Sequence, residues 1–158
     1  MRSKKAPKRI LAKDPIYGSK LVSKLINKIM YDGKKSTAAN LVYRAFENIK
    51  EGAKQDPMIV FEKAIANIAP KMEVRARRVG GASYQVPVEV KGERKETLAI
   101  RWLIEAARSK SNKEFHTFDQ KLAAEILAAS NNDGGALKKK SDVEKTATAT
   151  RAFAHFRW

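Results

Sequence analysis

Arg75, Arg77 and Arg78 stand just ahead of Gly80-Gly81 in the run MEVRARRVGGASYQVPVEV, Met72 to Val90. Side chains of this type, with almost no acid at that end, call for an anion. Lys34-Lys35, just past Asp32-Gly33, repeats the theme. Two lysines beside the first free N–H groups of a helix make a phosphate seat. Arg94, Lys95, Arg108, Lys110 and Lys113 crowd the two ends of the most apolar helix in the chain. Arg2, Lys4, Lys5, Lys8, Arg9 and Lys13 share the first 13 residues with no acid. That segment has too little apolar surface to order itself. It reads as an arm that folds along phosphates, in preference to a merely solvated tail. The chain ends Arg151-Ala-Phe-Ala-His-Phe-Arg-Trp158. Aromatics interleaved with arginines suit base stacking and phosphate contact. They suit docking on the protein's own core equally well.

Other chemistries find no residues to carry them. The chain has no Cys, which removes disulfides, thiol catalysis and Cys-based zinc or iron–sulfur sites. His116 and His155 are its two histidines, and neither has ligand spacing to a partner. No HExxH, P-loop or GxSxG occurs, and Gly80-Gly81 lacks the rest of a dinucleotide fingerprint. No enzyme, cofactor, metal or small-molecule substrate is therefore expected.

The chain has 158 residues, enough for one domain with a real core. Its 33 Lys and Arg against 17 Asp and Glu give a net charge of +16. Self-repulsion of that size opposes compactness, and a polyanionic partner is the simplest reason to keep it. On a small folded domain this points to nucleic acid before membrane. No apolar run is long enough to span a bilayer, and the basic N-terminus lacks the apolar stretch of a secretory signal. A cytoplasmic protein is the expectation.

The elements that must position these cations are mostly helices. Leu21, Val22, Leu25, Ile26 and Ile29 share one helical face, with Lys20, Lys24 and Lys28 on another, where plain solvation explains them. Ser36 is the expected N-cap of a second helix, ended by Gly52. Asp56-Pro57 starts a third, closed by Pro70. A fourth, carrying Leu98, Ile100, Trp102, Leu103 and Ile104, is apolar nearly all round and should be the hub of the bundle. Capping-box spacing starts a fifth at Ser111 or Thr117. The stretch from about Ala136 has three threonines, Thr146, Thr148 and Thr150, and is a poor intrinsic helix. If helical, it should project or lean on a partner.

Met72 to Val90 has period two on both sides of Gly80-Gly81, which predicts a β-hairpin. A three-residue loop, Gly80-Gly81-Ala82, would pair Ala76 with Val86, Val74 with Val88 and Met72 with Val90. That register gathers the apolar side chains on one face and is the expected one. The fold class is therefore all-α: five or six helices with one basic hairpin inserted between the third and fourth. The arm covers 1–13, and a single helical domain covers 14–158. That domain includes the hairpin 72–90 and a weakly predicted terminal helix and tail, 136–158. From the residues alone, RNA binding by shape and phosphate contact competes with an architectural DNA-binding protein using a β-arm.

Asp14-Pro-Ile-Tyr-Gly-Ser-Lys-Leu-Val, Ile26-Asn-Lys-Ile-Met, Asp32-Gly-Lys-Lys-Ser, the Val74–Val90 run, Ala99-Ile-Arg-Trp-Leu and the Arg151–Trp158 ending follow in order along the chain. Together they resemble the small-subunit ribosomal protein seven family, bacterial type. The resemblance implies a structural protein of the ribosome, in the cytoplasm, binding the 3′ major domain of small-subunit rRNA and nucleating assembly of the subunit head. It implies exit-site tRNA and the mRNA path nearby, and ribosomal proteins nine and eleven as neighbours. Some bacterial members also repress their own mRNA. Carried onto this chain, Arg2, Lys4, Lys5, Lys8, Arg9, Lys34, Lys35, Arg75, Arg77, Arg78, Arg94, Arg108, Lys110 and Lys113 become the rRNA contacts. Gly80, Gly81, Tyr84, Arg151 and Arg157 become the tRNA-side candidates.

Overall fold

The computed structural model describes residues 11–156. Arg2, Lys4, Lys5, Lys8 and Arg9 of the arm, and Arg157, lie outside the described residues. The rest follows from local rules with a few instructive exceptions. Asp14, buried, accepts hydrogen bonds from the backbone N–H groups of Ile16 and Tyr17 and from the Tyr43 hydroxyl, at 3.1, 3.0 and 2.8 Å. Burial and then that bond to Asp14 push the Tyr43 phenol up to about 12. This turn delivers the chain to Ser19, whose side chain caps α1 (Lys20–Ile29).

α2 (Lys35–Ala53) begins two residues earlier than expected. Its N-cap is Lys34, and no side chain caps it; Ser36 lies inside the first turn. Gly52 does not stop it either. The helix runs one residue further, and Lys54 takes the left-handed conformation at φ 52° and returns its N–H to the Lys50 carbonyl. The Asp56 carboxylate caps α3 (Pro57–Ile68) as expected, with proline in its first turn.

Strands β1 (Met72–Val79) and β2 (Ala82–Glu89) form the hairpin between α3 and the fourth helix, α4 (Glu93–Ser109). The expected register is wrong. Ala76 pairs with Gln85, Val74 with Pro87 and Arg77 with Tyr84, and the loop is the two residues Gly80-Gly81. Both glycines have positive φ, 56° and 89°. That is the signature of a primed two-residue turn, whose twist matches the flanking strands. The apolar alternation did not decide the register because no single face of the ribbon is buried: Met72, Val74 and Val88 are half-exposed and Ala76 is exposed, whereas Val86 and Pro87, on opposite faces, are buried.

α4 buries Leu98, Ile100, Trp102, Leu103 and Ile104 and packs on α1, α3, α5 (Phe118–Ser130) and α6 (Gly135–Ala149). It is not the sole hub. α2 rests chiefly on α5, which also packs on α3, α4 and α6. The centre is the α4–α5 pair. Thr117 precedes α5 but makes no side-chain cap; Gln120 instead accepts the His116 N–H at 3.2 Å. The terminal stretch is helical despite its composition. Thr146, Thr148 and Thr150 each return a hydroxyl to the carbonyl four residues back, at 2.8 to 2.9 Å. α6 packs on α4 and β1, and a 3-10 helix (Arg151–Phe156) follows it and lies on β2. A mostly helical protein with one two-stranded hairpin is thus the observed class.

Candidate nucleic-acid interface

The predicted cations fall into separate groups. At the foot of the ribbon, Glu73 is buried although its strand neighbours are not. Its carboxylate accepts from Arg75 Nε at 2.5 Å and from Arg94 Nε at 2.8 Å, and both guanidinium groups also pair with it as ions. Burial by itself would raise the Glu73 carboxyl, but the hydrogen bonds and charges of Arg94 and Arg75 outweigh it and hold the group below the usual carboxylate range. Donating to Glu73 in turn raises the Arg94 guanidinium. Two arginines 19 positions apart in sequence are thereby tied to one point, each still about half-exposed. Arg77 and Arg78 continue toward the tip opposite Tyr84 and Ser83, Arg77 half-buried and Arg78 exposed.

Tyr84 is not an isolated tip residue. Its ring lies 5.3 Å from those of Phe153 and Phe156 in the 3-10 helix. Phe153 and Phe156 therefore dock on the protein itself, but on the ribbon and not on the core. Arg151 opens that 3-10 helix and is exposed, as are Gly80 and Gly81 at the ribbon tip.

A second group gathers at the other end of α4. Arg94 and Arg108 are separated along the helix by about 21 Å at 1.5 Å per residue. The Arg108 guanidinium sits 4.6 Å over the Tyr31 ring, and Arg108 shares a cavity with Lys34 at the start of α2. Lys34 and Lys35 are exposed there. The turn between α1 and α2 and the last turn of α4 thus bring together cations that sequence order separates widely.

Lys110 and Lys113 belong to neither group. Lys113 is exposed on the loop before α5. Lys110 is drawn inward: its Nζ lies 3.0 Å from Glu125, a fully buried carboxylate on α5 that also accepts the Ala136 N–H at 2.9 Å. Beside it, buried Lys121 donates to the Lys110 carbonyl at 2.7 Å. Lys110 is thus a structural cation first. Reading the sequence missed Glu73, Glu125 and Lys121 because helix and strand periods assign charged residues to solvent. It also missed Tyr31, an aromatic next to a turn that looked purely basic.

Among the described residues no group of three His, Asp or Glu is placed to hold a metal ion, and no helix is long and apolar enough to cross a membrane.

Comparison with known proteins matches residues 1–151 to the family described as ribosomal protein S7p/S5e. A protein of Streptococcus mutans named small ribosomal subunit protein uS7 is 57% identical over 157 residues, covering 99% of both chains. The same-named proteins of Carboxydothermus hydrogenoformans and Thermotoga neapolitana are 57% and 54% identical, over 96% and 100% of both chains. Proteins of this kind are structural and non-enzymatic. On a match that spans nearly every residue, with a helical body and basic hairpin to go with it, the chain belongs to the ribosomal protein S7p/S5e family.

Proposed function

We propose that this protein is a structural component of the small ribosomal subunit that grips the 3′ major domain of its rRNA and nucleates assembly of the subunit head, in the cytoplasm. The observation that carries the reading is the ribbon. Arg75 and Arg78, on a strand pair with a glycine tip and no apolar wedge, and Arg94, at the start of α4, stay exposed around the fixed Glu73. Cations held in place by structure contact a folded RNA backbone without reading its sequence. Lys34, Lys35 and Arg108 form a second contact region, Lys113 an exposed peripheral one, and Arg2, Lys4, Lys5, Lys8 and Arg9 extend the surface as an arm. Lys110 contributes indirectly, through the fold.

The Gly80-Gly81 tip, Tyr84, Arg151 and Arg157 face exit-site tRNA and the mRNA path in this reading, with ribosomal proteins nine and eleven as neighbours. Repression of its own mRNA would reuse the same surface on an RNA of similar shape. Binding to a transcript of the rRNA head domain, compared with duplex DNA at matched salt, tests the proposal. Preference for the transcript is expected, with affinity falling by a log–log slope of about 0.7 to 0.9 per phosphate neutralised. Preference for the duplex would favour the architectural DNA-binding alternative, which would use the β-arm in a minor groove.

A further inference from the structure

We infer that the cavity between the start of α2 and the end of α4 receives one unstacked nucleobase of the bound RNA, so that this end of the protein reads RNA shape as well as charge. The inference rests on the proposed rRNA-binding function. The cavity measures about 420 Å³, within the range of small-ligand sites. Ile29, Leu41 and Phe118 give it an apolar lining, while Tyr31, Lys34 and Arg108 stand at its polar side. Apolar space flanked on one side by two cations, Lys34 and Arg108, is a poor place for a lipid tail or an acidic loop alone. It fits a flat, heteroaromatic group that carries its own phosphate.

Two further observations favour that occupant. Tyr31 is 65% exposed, unusual for a large ring beside an apolar cavity, and Arg108 lies over its face. An arginine–tyrosine stack is a surface on which a base can extend the pile, and every base has a π-face to offer. Lys34 is the N-cap of α2, a helix whose first turn has no acid and no side-chain cap. The base's phosphate would meet Lys34 at that turn. Stacking and phosphate neutralisation are thus supplied by different residues, which makes them separable by experiment.

The test uses the full chain and the head-domain rRNA transcript, titrated at several salt concentrations. Tyr31→Ala should weaken binding about 5- to 150-fold, the range of one lost base stack, and leave the salt slope unchanged. Lys34→Ala should instead lower the slope by about 0.7 to 0.9. Thr37→Phe, on the exposed first turn of α2 and lining the cavity, removes no cation and fills the space, so it too should weaken binding without changing the slope. Thermal melting of each variant separates loss of fold from loss of contact. Wild-type affinity in folded Tyr31→Ala and Thr37→Phe would overturn the inference while leaving rRNA binding intact. A slope that falls with Tyr31→Ala would overturn it as well, because the site would then be a phosphate contact only. Failure of the unaltered chain to bind the transcript would remove the functional reading itself.

Discussion

Glu73 and Glu125 are both buried carboxylates that hold basic side chains, and they hold them to opposite ends. Glu125, on α5, takes Lys110 as its ion partner and accepts the Ala136 N–H in the first turn of α6. Even a methyl group is excluded there: a Cβ on Gly134 would lie 2.8 Å from the Glu125 carboxylate, at a φ of 105° that already favours glycine. Glu73 instead fixes one side of two guanidinium groups and leaves about half of each in solvent. An arginine has five donors in a planar fork, so a carboxylate can occupy some and leave others for a phosphate. The same residue type closes a core in one region and orients exposed guanidinium groups in the other. What differs is whether the cation's far side faces protein or water.

If the two regions divide the labour this way, substitutions in one should move stability and in the other affinity. The largest stability effect is expected in the α4–α5 centre. Trp102, 7% exposed, should cost about 3 to 5 kcal/mol when replaced by alanine, read as a fall of about 6 to 20 °C in thermal midpoint. A negligible shift would mean that α4 does not help to form the centre. Reversing Arg75, Arg77 and Arg78 to Glu should weaken transcript binding on the order of a thousandfold, from about 1.5 kcal/mol for each charged contact, and flatten the salt dependence. Because Arg75 pairs with buried Glu73, its reversal should also lower the melting midpoint, so affinity is compared at a temperature where the variant is still folded. Unchanged binding across the titration would take the ribbon out of the interface.

Glu125→Ala should destabilise by about 3 kcal/mol, because the Ala136 N–H and Lys110 lose their shared acceptor. Folded variant should bind the transcript as before. A drop in affinity at full stability would place Lys110 at the interface directly and blur the contrast. The smallest effect is expected for Glu73→Gln, about 1 kcal/mol once the exposure of both arginines is discounted. The Glu73 carboxyl is lowered in the folded chain, so its contribution is complete above the ordinary carboxylate pKa of about 4.3. It is lost as pH falls through the lower folded value. Melting of parent and variant from neutral pH downward should therefore show a gap that narrows in acid. A gap constant across that range would mean the arginines do not act on this carboxylate.

Much of the architecture was legible in order along the chain. Asp56-Pro57 names a helix start by its own chemistry, and the apolar stripe of α1 needs only a helical period to be seen. The hairpin was legible in kind but not in register. Its faces were read as if one were fully buried, whereas the turn geometry of Gly80-Gly81 fixed the pairing. α6 shows the opposite error: Thr146, Thr148 and Thr150 argue against helix by propensity, yet packing on α4 and β1 holds it.

By itself, the amino-acid sequence determined the charge that calls for a polyanion, the absence of thiol chemistry, the order of helices around one hairpin and the family to which the chain belongs. Each of these depends on composition, on short periods or on contiguous blocks of residues. Only the tertiary structure decided which cations are spent inward on Glu125, which are tethered by Glu73 and which meet around Tyr31. Those outcomes depend on contacts between residues far apart in the chain, where burial and ion pairing follow the packing of helices and leave no periodic mark in the sequence.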